Sequence, residues 1–249
     1  VGSEMCIRDR SYFNKFTDNG KDYLPYIEGK TNTPMPLFVK PKHKLSVQDV
    51  KDMMRDHYEG TPLDISNDFG AGPYKTPYRL SPLNFKVDGQ EYFNERPIST
   101  QQSGFVFVAQ MRAHKPDPIG GVLWFGVDDA NMTVFTPVYC CATKVPVCYT
   151  RVDGADYITF SWNSAFWIFN WVSNMVYPRY DLMIGDVRET QKEMESTFNT
   201  AQAGIEEMAV KLLEKDKDAA INFLTNYTNM TAQSTFDTWK PIFHANKTF

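Results

Sequence analysis

Two kinds of charge sit at the ends of strand-like runs in this chain. Arg96 follows Asn94-Glu95 and precedes a run that starts near Ser99, while Asp128 and Asp129 close a second, strongly apolar run. A guanidinium grips a carboxylate through two parallel hydrogen bonds. A carboxylate at the end of a buried strand must face a pocket, meet a cation or bind turn amides, because burying it unpaired is costly. Asn94, Thr100 and Gln101 add neutral hydrogen-bonding groups close by in sequence. Each residue also has a plainer reading: Arg96 in an ion pair with Glu95 or Asp88, the aspartates on turn amides, and the neutral groups on strand-end backbone. Spacing alone leaves both readings open.

Other chemistries find less support. The four cysteines, Cys6, Cys140, Cys141 and Cys148, form no Cys-x-x-Cys pair, and His43, His57, His114 and His244 show no metal-ligand spacing. Cys140 and Cys141 end an apolar run and are expected to be buried, structural thiols. A net charge of -4 and the lack of a Lys/Arg cluster argue against a nucleic-acid surface. The densest apolar patch, 166–172, is far too short to span a membrane. With 42% hydrophobic and 14% aromatic residues, the chain can build a core.

The elements that must hold these residues follow from periodicity. Residues 11–44, punctuated by Pro25, Pro34, Pro36 and Pro41, predict extended chain with short structure at most. Residues 46–58 predict a helix, with Ser46 as cap and Asp49 as first-turn acid. A long loop over 63–95 carries a turn at Asp88-Gly89. Strands are expected over 99–112, 122–127 and 132–140, with a further candidate over 157–161. From Asn163 the period becomes helical. Trp162, Phe166 and Phe169 open an apolar helix that ends near Pro178, and Trp124, Trp162, Trp167 and Trp171 read as core. Over 186–215, Val187, Gln191, Met194, Phe198, Ala201, Ile205, Met208 and Leu212 alternate four and three. That is a heptad seam, weakened at Gln191 and Ala201. Two further helices are expected over 218–227 and 233–243. Strands followed by helices describe an α+β architecture.

Several blocks together carry a resemblance. They are RPISTQQS (96–103), FVFVAQMR (105–112) and GGVLWFGVDDA (120–130), with DFGAGPY (68–74) and PYR (77–79) before them. VFTPVYC (134–140), SAFWIFNWVSN (164–174), YPRY (177–180) and FDTW (236–239) follow. In this order they resemble the bacterial peptidase D-like dipeptidases, a group of N-terminal-nucleophile cysteine hydrolases. The resemblance implies a four-layer α/β/β/α fold of two antiparallel sheets between helical layers, of which this chain supplies part. Residues 11–249 then form the C-terminal portion of a single catalytic domain, strand-rich over 95–161 and helical over 163–244. The opening VGSEMCIRDR (1–10) resembles a read-end artefact of translated environmental sequence and is set aside; Cys6 leads into charged residues, a poor strand. An incomplete sheet leaves unpaired edges and exposed apolar area, so such a fragment is expected to be deficient as a stable protein by itself.

The implied chemistry needs no cofactor. An N-terminal cysteine can use its own α-amine, with a reference pKa of about 7.7–8.0, to take the thiol proton and return one to the leaving amine. That cysteine is expected in an upstream half, so the chain as written is expected to be inactive. By resemblance Arg96 lies near the nucleophile. Asp128 and Asp129 would receive the substrate ammonium, and Asn94, Thr100 and Gln101 would supply hydrogen bonds to a dipeptide. Two other readings stand: another amide as substrate within the same superfamily, as in acylases and bile-salt hydrolases, or an aromatic-rich module that binds peptide or sugar without catalysis. A homo-oligomer formed through the full-length protein is compatible with either enzyme, as is either a cytoplasmic or an exported location.

Overall fold

The computed structural model describes residues 15–27, 30–34, 36, 38–60, 64–78, 84–93 and 97–244. The chain divides into two compact units, Val1–Thr100 and Gln101–Phe249.

In the first unit, helix α1 (Val47–Met54) begins with a reciprocal cap: the Asp49 amide donates to Ser46 Oγ at 3.1 Å and the Ser46 amide donates to Asp49 Oδ2 at 2.8 Å. The helix is shorter than its pattern predicts because side chains capture the next amides. Glu59 accepts from the His57 amide at 2.9 Å and Asp56 from the Tyr58 amide at 2.7 Å, and Tyr58 turns to a φ of 65°. Strands β1 (Asn84–Val87) and β2 (Gln90–Phe93) form an antiparallel hairpin. Its turn is Asp88-Gly89, both at positive φ (51° and 82°), the conformation whose twist suits a two-residue hairpin.

The second unit is a three-stranded antiparallel sheet with helices on one face. Strands β3 (Phe105–Met111), β4 (Gly121–Val127) and β5 (Thr136–Tyr139) lie in that order. The β3–β4 register pairs Val106 with Gly126, Val108 with Trp124 and Gln110 with Val122. Val106, Val108, Val122 and Trp124 on this face are buried. Gly126 must be glycine: a Cβ there would lie 2.4 Å from Thr133 Cγ2. The candidate strand over 157–161 is instead a knot of bends. Asp156 accepts the amides of Ile158 and Thr159 at 2.9 and 2.7 Å, and the Trp167 indole donates to the carbonyls of Asp156 and Thr159.

Three helices follow: α2 (Ala165–Val176), α3 (Tyr180–Leu213) and α4 (Lys217–His244). The last is one helix where two were expected. The stretch left between the two holds threonines. Thr231 and Thr235 fold their hydroxyls back onto the carbonyls of Tyr227 and Thr231 at 3.1 and 2.9 Å, so the helix continues with these groups buried. Phe169 of α2 stacks on Trp239 of α4, ring centroids 5.0 Å apart. Along α3 the buried positions are Val187, Gln191, Met194, Glu195, Phe198, Glu206 and Ala209. Val187, Phe198 and Ala209 step by eleven residues, a repeat of about 3.7 residues per turn that lies nearer the straight helix's 3.6 than the heptad's 3.5, so the stripe leaves the heptad positions and Met208 is 48% exposed.

A buried charge cluster pins the β3–β4 hairpin to α3. Arg112 Nη1 lies 2.6 Å from Glu206 Oε1, Lys115 Nζ 3.4 Å from Glu206 Oε2, and the Tyr139 hydroxyl donates to Glu206 at 3.2 Å. Burial first, and then the Glu206 charge, push the Tyr139 phenol up, keeping it a neutral donor. Two other readings are corrected. Cys140 is exposed and Cys141 half-buried, because β5 ends at Tyr139 and both fall in the turn beyond it; only Cys148 of the three is buried. Trp162 and Trp171 are about two-fifths exposed (41% and 39%), packed on each other and on Phe160 at the surface rather than in the core.

Candidate active site

The end of β4 meets the last turns of α2. Asp128 has a φ of 71°, a left-handed conformation uncommon outside glycine that aspartate is among the few side chains to tolerate, and its amide donates to the Gly104 carbonyl at 3.0 Å. Asp128 and Asp129 are both buried, 2% and 0% exposed, but their surroundings differ. Asp129 caps the short turn Ala130–Met132: its Oδ1 accepts the amides of Asn131 and Met132 at 2.7 and 3.1 Å, and its Oδ2 accepts the Tyr177 hydroxyl at 3.0 Å. Asp128 Oδ2 has no hydrogen-bond partner among the described residues, and neither has the buried hydroxyl of Ser173 on α2.

This difference sets the electrostatics. Burial, and next the charge of Asp129, hold the Asp128 carboxyl well above its ordinary range; the nearby Ser173 hydroxyl and the Asp129 amide pull weakly the other way. Burial thus favours the protonated form of Asp128. The consequence for stability has a definite sign. A carboxyl whose folded pKa is raised contributes stability fully below its unfolded value, near 3.8, and loses it as pH rises through the elevated folded range. Asp128→Asn removes the titration, suits positive φ and can donate to Ser173. The variant is expected to gain about 1–3 kcal/mol at neutral pH, the scale of an unsatisfied buried group. Its advantage should shrink as the pH falls toward 4, which urea titrations across pH would measure.

Around this turn lies a polar brace. The Asn131 carbonyl accepts from Gln191 Nε2 at 2.8 Å and Arg188 Nη1 at 3.4 Å, Arg188 Nη2 donates to Asn131 Oδ1, and Asn131 Nδ2 donates to the Tyr180 hydroxyl at 3.1 Å. Gln191 also donates to the Thr133 carbonyl at 2.8 Å. Gln101 Nε2 donates to Asn174 Oδ1 at 3.3 Å, which brings Gln101 to the α2 residue next to Ser173. Thr100 belongs to the first unit and is half-buried. Asn94 and Arg96 lie outside the described residues, as does Cys6.

Sequence reasoning missed Ser173, Asn131, Tyr177, Arg188 and Gln191. A signal existed for three of them: Ser173 and Tyr177 fall in the blocks 164–174 and 177–180, and Gln191 is the polar residue that weakens the α3 seam. Among the described residues, no cluster of His, Cys, Asp or Glu could hold a metal ion, and no helix is long and apolar enough to cross a membrane.

Comparison with known proteins agrees in kind. The chain is 26% identical to the "Probable dipeptidase B" of Lactococcus lactis subsp. lactis, over 81% of this chain and 41% of that protein. It is 25% identical to a "Probable dipeptidase" of Latilactobacillus sakei, over 88% of this chain and 41% of that protein. "Dipeptidase A" of Lactobacillus helveticus matches at 23% identity, over 68% and 31%. The chain thus spans about two-fifths of the length of the first two relatives. The family model for Peptidase family C69 matches residues 6–193, most of the sequence, and on that match the chain belongs to peptidase family C69.

Proposed function

We propose that this chain is the C-terminal portion of a cysteine-type dipeptidase, whose nucleophile is an N-terminal cysteine outside this sequence. The relatives bear dipeptidase names and exceed the matched stretch by more than half of their length. One observation carries the site: a buried carboxyl at a strand end in the left-handed conformation, Asp128, with an oxygen left without a partner among the described residues. Unsatisfied buried polarity persists where function requires it. In this reading Asp128 Oδ2 and Ser173 Oγ receive the substrate ammonium, which brings a donor to the oxygen left without one. Asp129 and Tyr177 hold the turn. Gln101 hydrogen-bonds the substrate, with Thr100 and Asn94 as further contacts. Arg96 stands beside the nucleophile, and the cysteine thiol is activated by its own α-amine. The fold is the four-layer sandwich, with the face of the β3–β4–β5 sheet opposite the long helices turned toward a second sheet.

The test is kinetic. The complete reading frame should hydrolyse dipeptides, and the 249-residue chain should not. In the complete enzyme, Asp128→Asn should raise KM for dipeptides roughly ten- to hundredfold, as expected for a lost charge-assisted bond of about 1.5–3 kcal/mol. An N-blocked substrate should be little affected, and Arg96→Lys should lower activity because the planar fork is lost. Equal losses for free and blocked substrates would remove Asp128 from ammonium recognition. Hydrolysis by this chain that Cys6→Ser abolishes would overturn the assignment of the nucleophile.

A further inference from the structure

The two edges of the three-stranded sheet are treated in opposite ways. On β5 the residues that face β4 are Thr136 and Val138, so the outward amides are those of Phe135, residue 137 and Tyr139. The Phe135 amide donates to Glu195 at 2.9 Å, residue 137 is a proline with no N–H, and the Tyr139 amide donates to Thr228 Oγ1 at 3.2 Å. This edge is closed by a proline and by helix side chains.

Among the described residues the β3 edge is open. The bonds from Asp128 N to Gly104 O and from Arg112 N to Gly120 O fix the even-numbered residues of β3 as those that face β4. The amides and carbonyls of Phe105, Phe107, Ala109 and Met111 therefore point outward, and β3 pairs with no strand but β4 among the described residues. The same four residues occupy the face opposite the long helices, where Tyr149 packs on Phe125 but Phe105 is 62%, Phe107 49% and Met111 73% exposed. The strand, FVFVAQM, holds no charge and no proline that would discourage pairing.

We propose that the free edge of β3 is completed by a strand from the portion of the protein that its relatives carry outside the matched stretch. That strand is uncharged and extended, and apolar at alternate positions so as to continue the Phe105–Phe107–Met111 face. The proposal rests on the reading of this chain as part of a longer dipeptidase. A second copy of this chain fits the edge less well. Pairing β3 with β3 would satisfy the outward amides but lay two exposed apolar strips side by side, enlarging the patch that needs cover. A strand that continues into a second layer meets both needs.

Hydrogen exchange on the 249-residue chain and on the complete reading frame tests this. In the shorter chain the amides of Phe105, Phe107, Ala109 and Met111 should exchange fast, while those of Val106, Val108 and Gln110 are protected. In the longer protein the four outward amides should slow by about a hundredfold or more, as expected for paired strand amides. A second arm uses Ala109→Pro, whose missing N–H should cost more stability in the longer protein than in the shorter chain. Outward amides that stay fast in the longer protein would overturn the proposal. Protection in the shorter chain that grows with concentration would do so as well, assigning the edge to a second copy. If no longer reading frame exists, it is the dipeptidase-fragment reading that fails.

Discussion

Glu206→Ala should cost the second unit about 3–5 kcal/mol, the scale for removing one partner from a buried ion pair. The carboxylate is 5% exposed and lies 2.6 Å from Arg112, whose side chain is 14% exposed. Removing it leaves a guanidinium with little water and a Tyr139 hydroxyl without its acceptor. Lys115, whose side chain is 36% exposed, can turn to solvent and should add little. Arg112 would keep one bond, to the Ile119 carbonyl at 2.7 Å. That bond also explains why the hairpin should loosen with the pair, since Ile119 lies just before β4. Replacing the pair and the phenol together, as Arg112→Met/Glu206→Leu/Tyr139→Phe, should recover most of the loss, because the cost comes from the uncompensated charge. Urea unfolding of the two variants decides it. A loss below about 1 kcal/mol for Glu206→Ala would mean that water reaches Arg112 and that the hairpin is anchored by other contacts.

This cluster also marks where sequence reading stopped. The strands at 105–111 and 121–127 were legible because apolar runs of strand length flank a Pro/Gly turn, and the Asp88-Gly89 turn was legible because that dipeptide tolerates positive φ, whereas the two short strands it joins read as loop. Arg112 meets Glu206 across more than ninety residues, and nothing in either neighbourhood records the pairing. The same holds at the candidate site. Two adjacent aspartates after an apolar run signalled a strand end with unusual polar burial. Their separation into a turn cap, Asp129, and a carboxyl with one unpartnered oxygen, Asp128, depends on Tyr177 and Ser173, which the end of α2, nearly fifty residues away, brings in. The single helix α4 was read as two, and the use of its Thr225 and Thr228 on the amides of Thr143 and Tyr139 is likewise a tertiary fact.

The seam of α3 offers the second large effect, because it pits two periods against each other. A heptad reading places both Phe198 and Met208 in the interface. The eleven-residue stripe keeps Phe198, 6% exposed, and replaces Met208 with Ala209, which is 0% exposed. A straight helix advances about 3.6 residues per turn, so a 3.5-residue pattern drifts off the packed face within two or three heptads unless a partner supercoils with it. Here the packed surface includes the sheet, where Gln202 of α3 donates to Gln110 of β3 at 2.9 Å, so the helix keeps its own period. Phe198→Ala should therefore cost about 3–5 kcal/mol through lost burial and the cavity left behind. Met208→Ala should stay within about 0.5 kcal/mol, as at a surface position. Ala209→Leu should cost about 1–3 kcal/mol by overpacking a position with no spare room. Comparable losses at Phe198 and Met208, with Ala209→Leu tolerated, would restore the heptad and rotate the C-terminal half of α3 about its axis. In that case Glu206 would leave the core and the Arg112 pairing would weaken with it, so the two stability measurements check each other.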